Sequence, residues 1–320
     1  MRKFDLSPFF VFLIPVFIGC SHIESKSFAQ DSRPPAVLSS FLVATVQYPM
    51  EGGLSAPAFI RKVESFVREA KNRKAKLVVF PELIALDSWP VDSKDPEAVI
   101  VSKIADQITP AFFRAIERMS REYDLAILAG SAPRRVGSKL RNTALLAMPD
   151  GKKFTHDKVF LTAWERKMGW EAGNEITPFD APWGKTVLLI CYDSEFPVMA
   201  EALARAKPEV LLIPSMTETA AGLQRVRWSA QARAVELHAY VIVSGTVGKV
   251  GGDWFHFGQN SFITPRDRLF PESPIEGVLG APGIVMGSID IVRLRKSREE
   301  TEFFPARDQR GREVKVNPTW

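Results

Sequence analysis

Three polar residues in this sequence stand where the chain leaves an apolar, strand-like segment. Glu82 follows LVVFP, Lys158 lies in THDKV after a predicted hairpin, and Cys191 follows VLLI. In sheets that alternate with helices, functional sites collect at the carboxyl ends of strands, where loops present side chains to a crevice. The positions therefore favour the hypothesis that a carboxylate, an ammonium group and a thiol share one site.

These residue types suit nucleophilic catalysis by sulfur. A thiol has an ordinary pKa of about 8.5, so Cys191 needs a base or a positive neighbour to attack at neutral pH. Glu82 could accept the thiol proton and later activate a water. Lys158 could stabilise a thiolate and the oxyanion of a tetrahedral intermediate, with the backbone N–H of Tyr192 as a second donor. A strand, a nucleophile and a helix in this order form a nucleophile-elbow arrangement.

Each of these residues also has a structural interpretation. A lone Cys after a strand is commonly a small buried hydrophobe. A Glu at this place is commonly a solvated loop or cap residue, and a Lys commonly lies at the surface. Spacing alone leaves both interpretations open.

The elements that must position these residues alternate between strand and helix from about residue 41 to 292. Apolar segments typical of strands are FLVATVQYP, KLVVF, LAILAG, KTVLLIC, PEVLLIPS, YVIVSG, QNSFITP and GIVMGSIDI. Helical periodicity marks the segment capped by Ser55, and also TPAFFRAIERMSREYD, FPVMAEALARAK and AGLQRVRWSAQARAVELHA. NTALLAMPDGKKFTHDKV predicts a hairpin that turns at Asp150-Gly151. The pattern predicts one α/β domain with buried strands.

Composition excludes several functional classes. The 320 residues carry 42 Lys and Arg against 37 Asp and Glu, a net charge of +5, without a basic block, so nucleic acid is not an expected partner. The two cysteines cannot form a disulfide scaffold. The four histidines have no metal-ligand spacing, and no metal or other cofactor is expected.

The first residues have the pattern of a targeting segment. Arg2 and Lys3 precede an apolar run from Phe9 to Ile18, which ends in FIGC. This ending resembles a bacterial lipoprotein signal, which implies a signal peptide over 1–19, a lipid on Cys20 and a flexible tether over 20–40. The protein would then be anchored to a membrane outside the cytoplasm. A plain signal peptide, which yields a secreted or periplasmic soluble protein, is the alternative.

The segments VVFPEL, HDKVFL and LLICYDSEFP, in this order, resemble the signature segments of the nitrilase superfamily, the carbon–nitrogen hydrolases. The resemblance covers about residues 41–292 and implies a four-layer αββα sandwich. The charged segment 293–320 resembles the oligomer arm of that superfamily, which implies a homodimer or a higher homo-oligomer.

The resemblance also implies a role for each matching residue. Cys191 would be the nucleophile, Glu82 the general base and Lys158 the oxyanion-stabilising cation. The superfamily has a second glutamate between its Lys and its Cys. We assign it to Glu165, upstream of Gly173, and keep Glu171 as the alternative because the length of this gap varies across the superfamily. This sequence also has EAG where the superfamily often has Pro before Gly.

A finer resemblance lies in residues 214–248, which are similar to a branch whose members are often fused to an acetyltransferase domain. This chain has Glu218 and Leu223 in two places where that branch usually has other residues. Met216, Thr217 and Glu218 follow the strand VLLIP, and they are candidates for substrate contact.

The predicted activity is hydrolysis of a non-peptide carbon–nitrogen bond, with a small-molecule amide favoured over a nitrile. The alternatives are an acyltransferase that passes the acyl group from Cys191 to an amine, and a non-catalytic binding lipoprotein. A papain-like pair of Cys191 with His156 or His256 is a further rival, but the residues around Cys191 lack that pattern. Arg233 and Glu236 are expected to form a structural ion pair. Trp164 and Trp170 are expected to pack in the core or in a lid, with a pocket wall as the alternative.

Overall fold

The computed structural model describes residues 40–252 and 254–315, so the predicted signal peptide, Cys20 and nearly all of the tether lie outside the described residues. The strands are β1 (Ser40–Met50), β2 (Leu77–Val79), β3 (Ala126–Val136), β4 (Lys139–Ala147), β5 (Lys153–Asp157), β6 (Phe179–Ala181), β7 (Gly184–Leu188), β8 (Val210–Ser215), β9 (Tyr240–Val250), β10 (Trp254–His256), β11 (Ser261–Ile263), β12 (Ile275–Glu276) and β13 (Gly283–Asp290). The helices are α1 (Ala56–Asn72), α2 (Glu97–Lys103), α3 (Thr109–Glu122), α4 (Ala163–Lys167), α5 (Pro197–Ala206), α6 (Ala220–Leu237), α7 (Ile291–Glu300) and α8 (Pro305–Asp308).

The strands form two sheets that meet at one seam. The first has the order β13-β1-β2-β3-β4-β5, and the second has the order β12-β11-β9-β8-β7-β6. Strand β10 pairs with the last residues of β9. They join where the carboxyl ends of β1 and β9 pair in parallel, from Tyr48 opposite Thr246 to Met50 opposite Gly248. The carboxyl ends of the central strands of both sheets therefore lie beside this seam.

Alternating side chains of the strands bury both faces of each sheet. In the first sheet, Val43 and Leu77 belong to the core that contains the second sheet, whereas Ala44 and Val78 belong to the core that contains α1 and α3. This is the two-residue periodicity of a strand. Helices α5 and α6 pack on the second sheet. The layers run helix, sheet, sheet, helix, which confirms the predicted αββα sandwich.

Helix α1 shows how the sequence produces these layers. The Ser55 side chain accepts a hydrogen bond from the N–H of Ala58 at 3.4 Å and caps the helix, as predicted. Phe59, Val63 and Val67 are buried on one face against the first sheet. The chain turns at Asp150-Gly151 between β4 and β5, so the predicted hairpin is also present.

The chain after β13 packs on the body of the domain. Ile291 and Leu294 of α7 are fully buried, and Arg295 pairs with Glu209 at 2.6 Å. The border predicted between residues 292 and 293 therefore falls inside α7, and residues 291–300 belong to the domain. None of the helices in the described residues is long and apolar enough to cross a membrane.

Candidate active site

The loop that carries Glu82 is held by the neighbouring strand β3. Gly130 has a φ of +70°, and a Cβ on it would lie 1.7 Å from the carbonyl oxygen of Pro81, so only glycine fits this approach. The Ser131 hydroxyl accepts a hydrogen bond from the N–H of Leu83 at 3.1 Å. The irregularity in β3 at these residues thus directs Glu82 into the seam between the sheets.

Cys191 lies at a sharp turn just beyond β7. Its φ is +45°, in the left-handed region that non-glycine residues seldom adopt and that is enriched at functional sites. A 3-10 turn over Cys191–Glu195 follows, and α5 begins only at Pro197, so the expected helix after the cysteine is first a single tight turn. The sulfur accepts a hydrogen bond from the Ser215 hydroxyl at 3.3 Å.

Asp193 holds this turn in place, and sequence reasoning missed it. One of its carboxylate oxygens accepts hydrogen bonds from the N–H groups of Val159 and Phe160, and the other accepts from the N–H of Ile190 at 3.0 Å. His156 lies 2.9 Å from Asp193, so this histidine supports the turn that carries the thiol. The papain-like arrangement with His156 is therefore not what the structure shows.

Lys158 lies between two carboxylates in the interior. Its Nζ is 2.7 Å from Glu82 Oε1 and 2.9 Å from Glu165 Oε2, and all three residues are at most 2% exposed. Glu165 is fixed by a capping box with Thr162 at the start of α4. Glu171 instead pairs with Arg141 at a half-exposed position. Of the two candidate glutamates, the structure brings only Glu165 to Lys158.

The charge states follow from this packing. Burial alone would lower the pKa of Lys158, but the negative charges of Glu82 and Glu165 outweigh it and raise the pKa above the ordinary lysine value. Burial raises the pKa of Cys191, and the charge of Glu82 acts in the same direction against the opposing Lys158. Lys158 is thus a permanent cation, and Cys191 rests as a neutral thiol that needs a base.

Glu82 is placed to be that base. The pKa of its carboxyl is raised overall, mainly by burial and also by the charge of Glu165. The charge of Lys158 and a hydrogen bond with the Cys191 thiol act in the opposite direction. Its other oxygen accepts from the N–H of Met216 at 2.9 Å. The carboxyl therefore faces the thiol and is anchored on both sides.

These shifts predict the acid limb of the pH profile. A carboxyl with a raised pKa takes up its proton at a higher pH than an ordinary glutamate, so the base is lost earlier as the pH falls. We expect kcat/KM on an amide to fall through a midpoint above the ordinary value of 4.5. Thermal unfolding at each pH separates this titration from acid denaturation. Full activity below pH 4.5 would contradict the assignment.

Asn142 is a further member of the site that sequence reasoning did not find. Its side-chain amide donates to Glu82 Oε1 at 2.9 Å and to Glu165 Oε1 at 2.7 Å, so it ties the two glutamates together around Lys158. A lone Asn in a strand gives no signal of this role in the sequence.

We expect Asn142→Leu to lower kcat/KM roughly 10- to 100-fold, because hydrogen bonds to charged groups contribute about 1.5–3 kcal/mol each. Steady-state kinetics on the purified variant would measure this, and the matched control is Asn174→Leu at an exposed position. Activity of Asn142→Leu within a factor of about two of the wild type, the size of a minor surface effect, would show that the amide does not position the glutamates.

A cavity of about 280 Å³ opens over these residues. Glu82, Lys158, Glu165 and Cys191 line it, and so do the predicted contact residues Met216, Thr217 and Glu218. The hydroxyl of Thr217 donates to the carbonyl of Phe257, which holds this wall in place. Tyr192 also lines the cavity, and its backbone N–H follows Cys191 directly, as an oxyanion donor would.

The remaining predictions concern residues around this cavity. Trp164 lines the cavity, whereas Trp170 is buried in the core. Arg233 and Glu236 form the expected ion pair. The Thr246 hydroxyl oxygen lies 3.2 Å from His256 Nδ1, within hydrogen-bond distance. Burial lowers the pKa of His256 to about 4. The described residues contain no group of three or more His, Cys, Asp or Glu that could hold a metal ion.

The match to known proteins agrees with this geometry. Residues 42–298 match the family described as carbon-nitrogen hydrolase. The chain belongs to this family. The hydrolases and amidases of this superfamily act through a cysteine, which is the role that the resemblance of the sequence implied for Cys191.

Two curated relatives illustrate the range of this family. The probable hydrolase YhcX of Bacillus subtilis is 29% identical over 277 residues, which cover 84% of this chain and 53% of YhcX. This chain thus spans about half the length of that relative. The human omega-amidase NIT2 is 22% identical over 276 residues, with 83% of this chain and 95% of NIT2 covered.

Solved structures share the fold of these carbon–nitrogen hydrolases. Saccharomyces cerevisiae Nit3, a nitrilase-superfamily member, superposes with a TM-score of 0.67 at 22% identity over 83% of this chain and 96% of its own. An amidase from Nesterenkonia sp. superposes with a TM-score of 0.66 at 21% identity over the same shares. These likenesses establish the nitrilase-type fold.

Proposed function

We propose that this enzyme hydrolyses a small-molecule amide through a thioester on Cys191. The observation that carries the proposal is the buried cluster of Glu82, Lys158 and Glu165 beside the thiol, within one cavity. A neutral thiol next to an anchored carboxylate can be deprotonated at the moment of attack, so the enzyme needs no free thiolate at rest. The cation beside them stabilises the negative charge that then develops.

The first half-reaction forms the acyl-enzyme. Glu82 takes the thiol proton as the Cys191 sulfur bonds to the amide carbon, and the carbonyl oxygen becomes an oxyanion. Lys158 and the backbone N–H of Tyr192 stabilise that oxygen. Glu82 then donates the proton to the leaving nitrogen, the carbon–nitrogen bond breaks, and ammonia or an amine departs.

The second half-reaction restores the thiol. Glu82, again a carboxylate, accepts a proton from a water whose oxygen attacks the thioester carbon. The carbon–sulfur bond breaks, the sulfur regains a proton, and a carboxylic acid leaves. The net reaction consumes one amide and one water. Lys158 keeps its proton throughout, because the two adjacent carboxylates raise its pKa.

An amide is favoured over a nitrile as substrate. The names of the human omega-amidase and of the Nesterenkonia amidase support this choice. The second candidate function is acyl transfer from the same thioester to an amine in place of water. Both functions share the first half-reaction, so an external nucleophile can separate them.

The test uses hydroxylamine as that nucleophile. The purified enzyme is incubated with short amides, omega-amides, carbamoyl amines and nitriles, and ammonia, carboxylic acid and hydroxamate are measured. Hydrolysis predicts acid in amounts equal to ammonia, and added hydroxylamine should divert part of the acid to hydroxamate. Without an amine, acyl transfer predicts ammonia only up to one equivalent of enzyme, with the acyl group retained on Cys191 and no carboxylic acid formed until an amine is added. Acid formation that hydroxylamine leaves unchanged would contradict the thioester.

We also propose that the protein works outside the cytoplasm, anchored by a lipid on Cys20. The basic start, the apolar run and the ending FIGC of the first residues support this. Radioactive palmitate should label the wild type and leave Cys20→Ser unlabelled. A wild-type protein that takes up no label would contradict the anchor and favour the plain signal peptide.

We also propose that the protein forms a homodimer or a higher homo-oligomer. We place it in the branch whose members are often fused to an acetyltransferase domain, because residues 214–248 resemble that branch. Sedimentation velocity of the purified protein would test the assembly, and a monomer over the whole accessible concentration range would exclude it.

A further inference from the structure

A second cavity adjoins the catalytic one. Its volume is about 330 Å³, and we call it the tryptophan cavity. Its lining consists of Trp89, Val91, Glu97, Trp164, Glu218, Val250, Gly251, Gly252 and Trp254. Trp164 and Glu218 line the catalytic cavity as well, so the two spaces share a wall. A substrate held at Cys191 could therefore extend its far end into the tryptophan cavity.

Three indole rings from distant parts of the chain form its apolar surface. The ring centroids of Trp89 and Trp254 are 5.2 Å apart at 74°, and those of Trp164 and Trp254 are 6.4 Å apart at 43°. The rings are partly exposed rather than sealed in the core. Indole faces attract cations more strongly than any other side-chain ring.

Two carboxylates are fixed against these rings. Trp254 Nε1 donates to Glu218 Oε1 at 2.7 Å, and Trp164 Nε1 donates to Glu97 Oε2 at 3.1 Å. Each bond places a negative charge at the edge of an indole and limits the freedom of both side chains. Carboxylates beside aromatic faces combine charge attraction with cation–π attraction.

The charge balance of the two cavities points in the same direction. Their lining includes the carboxylates of Glu82, Glu97, Glu165, Glu195 and Glu218 and the cations Lys158 and Arg225. Lys158 is held by two of these carboxylates, and Arg225 pairs with Glu195 at 3.1 Å. Within the described residues, neither Glu97 nor Glu218 has an Arg or Lys partner. An anionic substrate would meet two uncompensated negative charges there.

We propose that the tryptophan cavity binds the cationic end of the substrate, an ammonium or guanidinium group carried at the far end of the amide. Glu218 and Glu97 supply the counter-charge, and Trp164 and Trp254 supply the ring faces. The inference rests on the proposed amide hydrolysis at Cys191 and specifies its substrate class. The site would select cationic over neutral and anionic substrates, because only a cation that leaves water gains both a carboxylate and an aromatic partner there.

The kinetic test compares three amides of equal length. These are δ-aminovaleramide, which is cationic, hexanamide, which is neutral, and the monoamide of adipic acid, which is anionic. We expect kcat/KM to fall in this order, by at least about tenfold from the first to the last, as a cation–π contact with a counter-ion implies. A higher kcat/KM for the neutral or anionic amide would overturn the proposal.

The variants are judged by the ratio of kcat/KM for the cationic amide to that for the neutral one. Glu218→Gln and Glu97→Gln should each lower this ratio about fivefold, because each removes one counter-charge. The ratio cancels any general loss of activity. The matched control is Glu69→Gln, on the exposed face of α1, which should keep the wild-type ratio. Unchanged ratios in both cavity variants would overturn the assignment of these two residues.

Binding measurements separate this inference from the proposed reaction. Calorimetric titration of the Cys191→Ala variant needs no turnover, and δ-aminovaleramide should bind at least about tenfold more tightly than hexanamide. Equal affinities, or no detectable binding of the cationic amide, would overturn the inference. Cation-selective binding in a protein that releases no ammonia would instead remove the proposed hydrolysis and leave the cation site standing.

Discussion

Cys191→Ala should lose at least about 10⁴-fold in kcat/KM on any amide that the wild type hydrolyses, because removal of a nucleophile leaves only binding and oxyanion stabilisation. Its fold should be retained, since the smaller side chain fits beside Ser215 and leaves no charge without a partner. Ammonia release under initial-rate conditions measures the loss.

The other cysteine of the chain provides the control for this variant. Cys20→Ser should keep the wild-type kcat/KM, because the proposed nucleophile is unchanged. Activity of Cys191→Ala within about tenfold of the wild type would contradict the role of Cys191, since such a residual rate requires another nucleophile. The histidines near the site are poor replacements, because His156 is bound to Asp193 and buried.

Lys158→Met should damage both activity and stability. Without the ammonium group, Glu82 and Glu165 would face each other as two buried carboxylates, and loss of one partner of a buried ion pair costs about 3–5 kcal/mol. The pKa of Glu82 would rise further, because the Lys158 charge now lowers it. We expect kcat/KM to fall at least about 10³-fold, since the oxyanion also loses its cation.

Chemical unfolding at neutral pH measures the stability of Lys158→Met, and initial rates measure its activity. The matched control is Lys153→Met, an exposed lysine of β5 that pairs with Glu117 and should change the free energy of unfolding by less than about 1 kcal/mol. A Lys158→Met protein as stable as this control would show that the two glutamates are not both ionised. Wild-type activity would remove Lys158 from the mechanism.

Much of the fold and of the site could be predicted from the sequence, because the informative features are local. Apolar runs marked most strands, helical periodicity marked α1, α3, α5 and α6, and the motifs around Glu82, Lys158 and Cys191 are contiguous. The choice between Glu165 and Glu171 also had a local signal, because Thr162 and Glu165 have the spacing of a capping box.

The features that were not predicted depend on contacts between distant segments. Asn142 bridges Glu82 and Glu165 across 60 and 23 positions of sequence, so no window contains the interaction. Asp193 was visible in the motif, but its role follows from amides that β5 and its loop bring to it. Helix α2, with its charged first turn, lacked a clear apolar repeat.

The tryptophan cavity illustrates the same limit. Trp89 and Trp164 come from the chain after β2 and after β5, and Trp254 is the first residue of β10. They meet only because the two sheets join along β1 and β9. Single tryptophans in a sequence are consistent with a core, a lid or a binding surface. The tryptophan cavity and the catalytic cavity share a wall, and this shared wall relates the three tryptophans to substrate selectivity.

The most direct test of the central claim is the mass of the enzyme during turnover. The wild-type protein is mixed with an amide that it hydrolyses, quenched in acid within the first turnovers, digested and analysed by mass spectrometry. We expect the acyl group of the substrate on the peptide that contains Cys191, and an amount of released ammonia equal to the sum of this adduct and the free carboxylic acid. An acyl group on any other residue, or turnover that persists in Cys191→Ala, would contradict this mechanism.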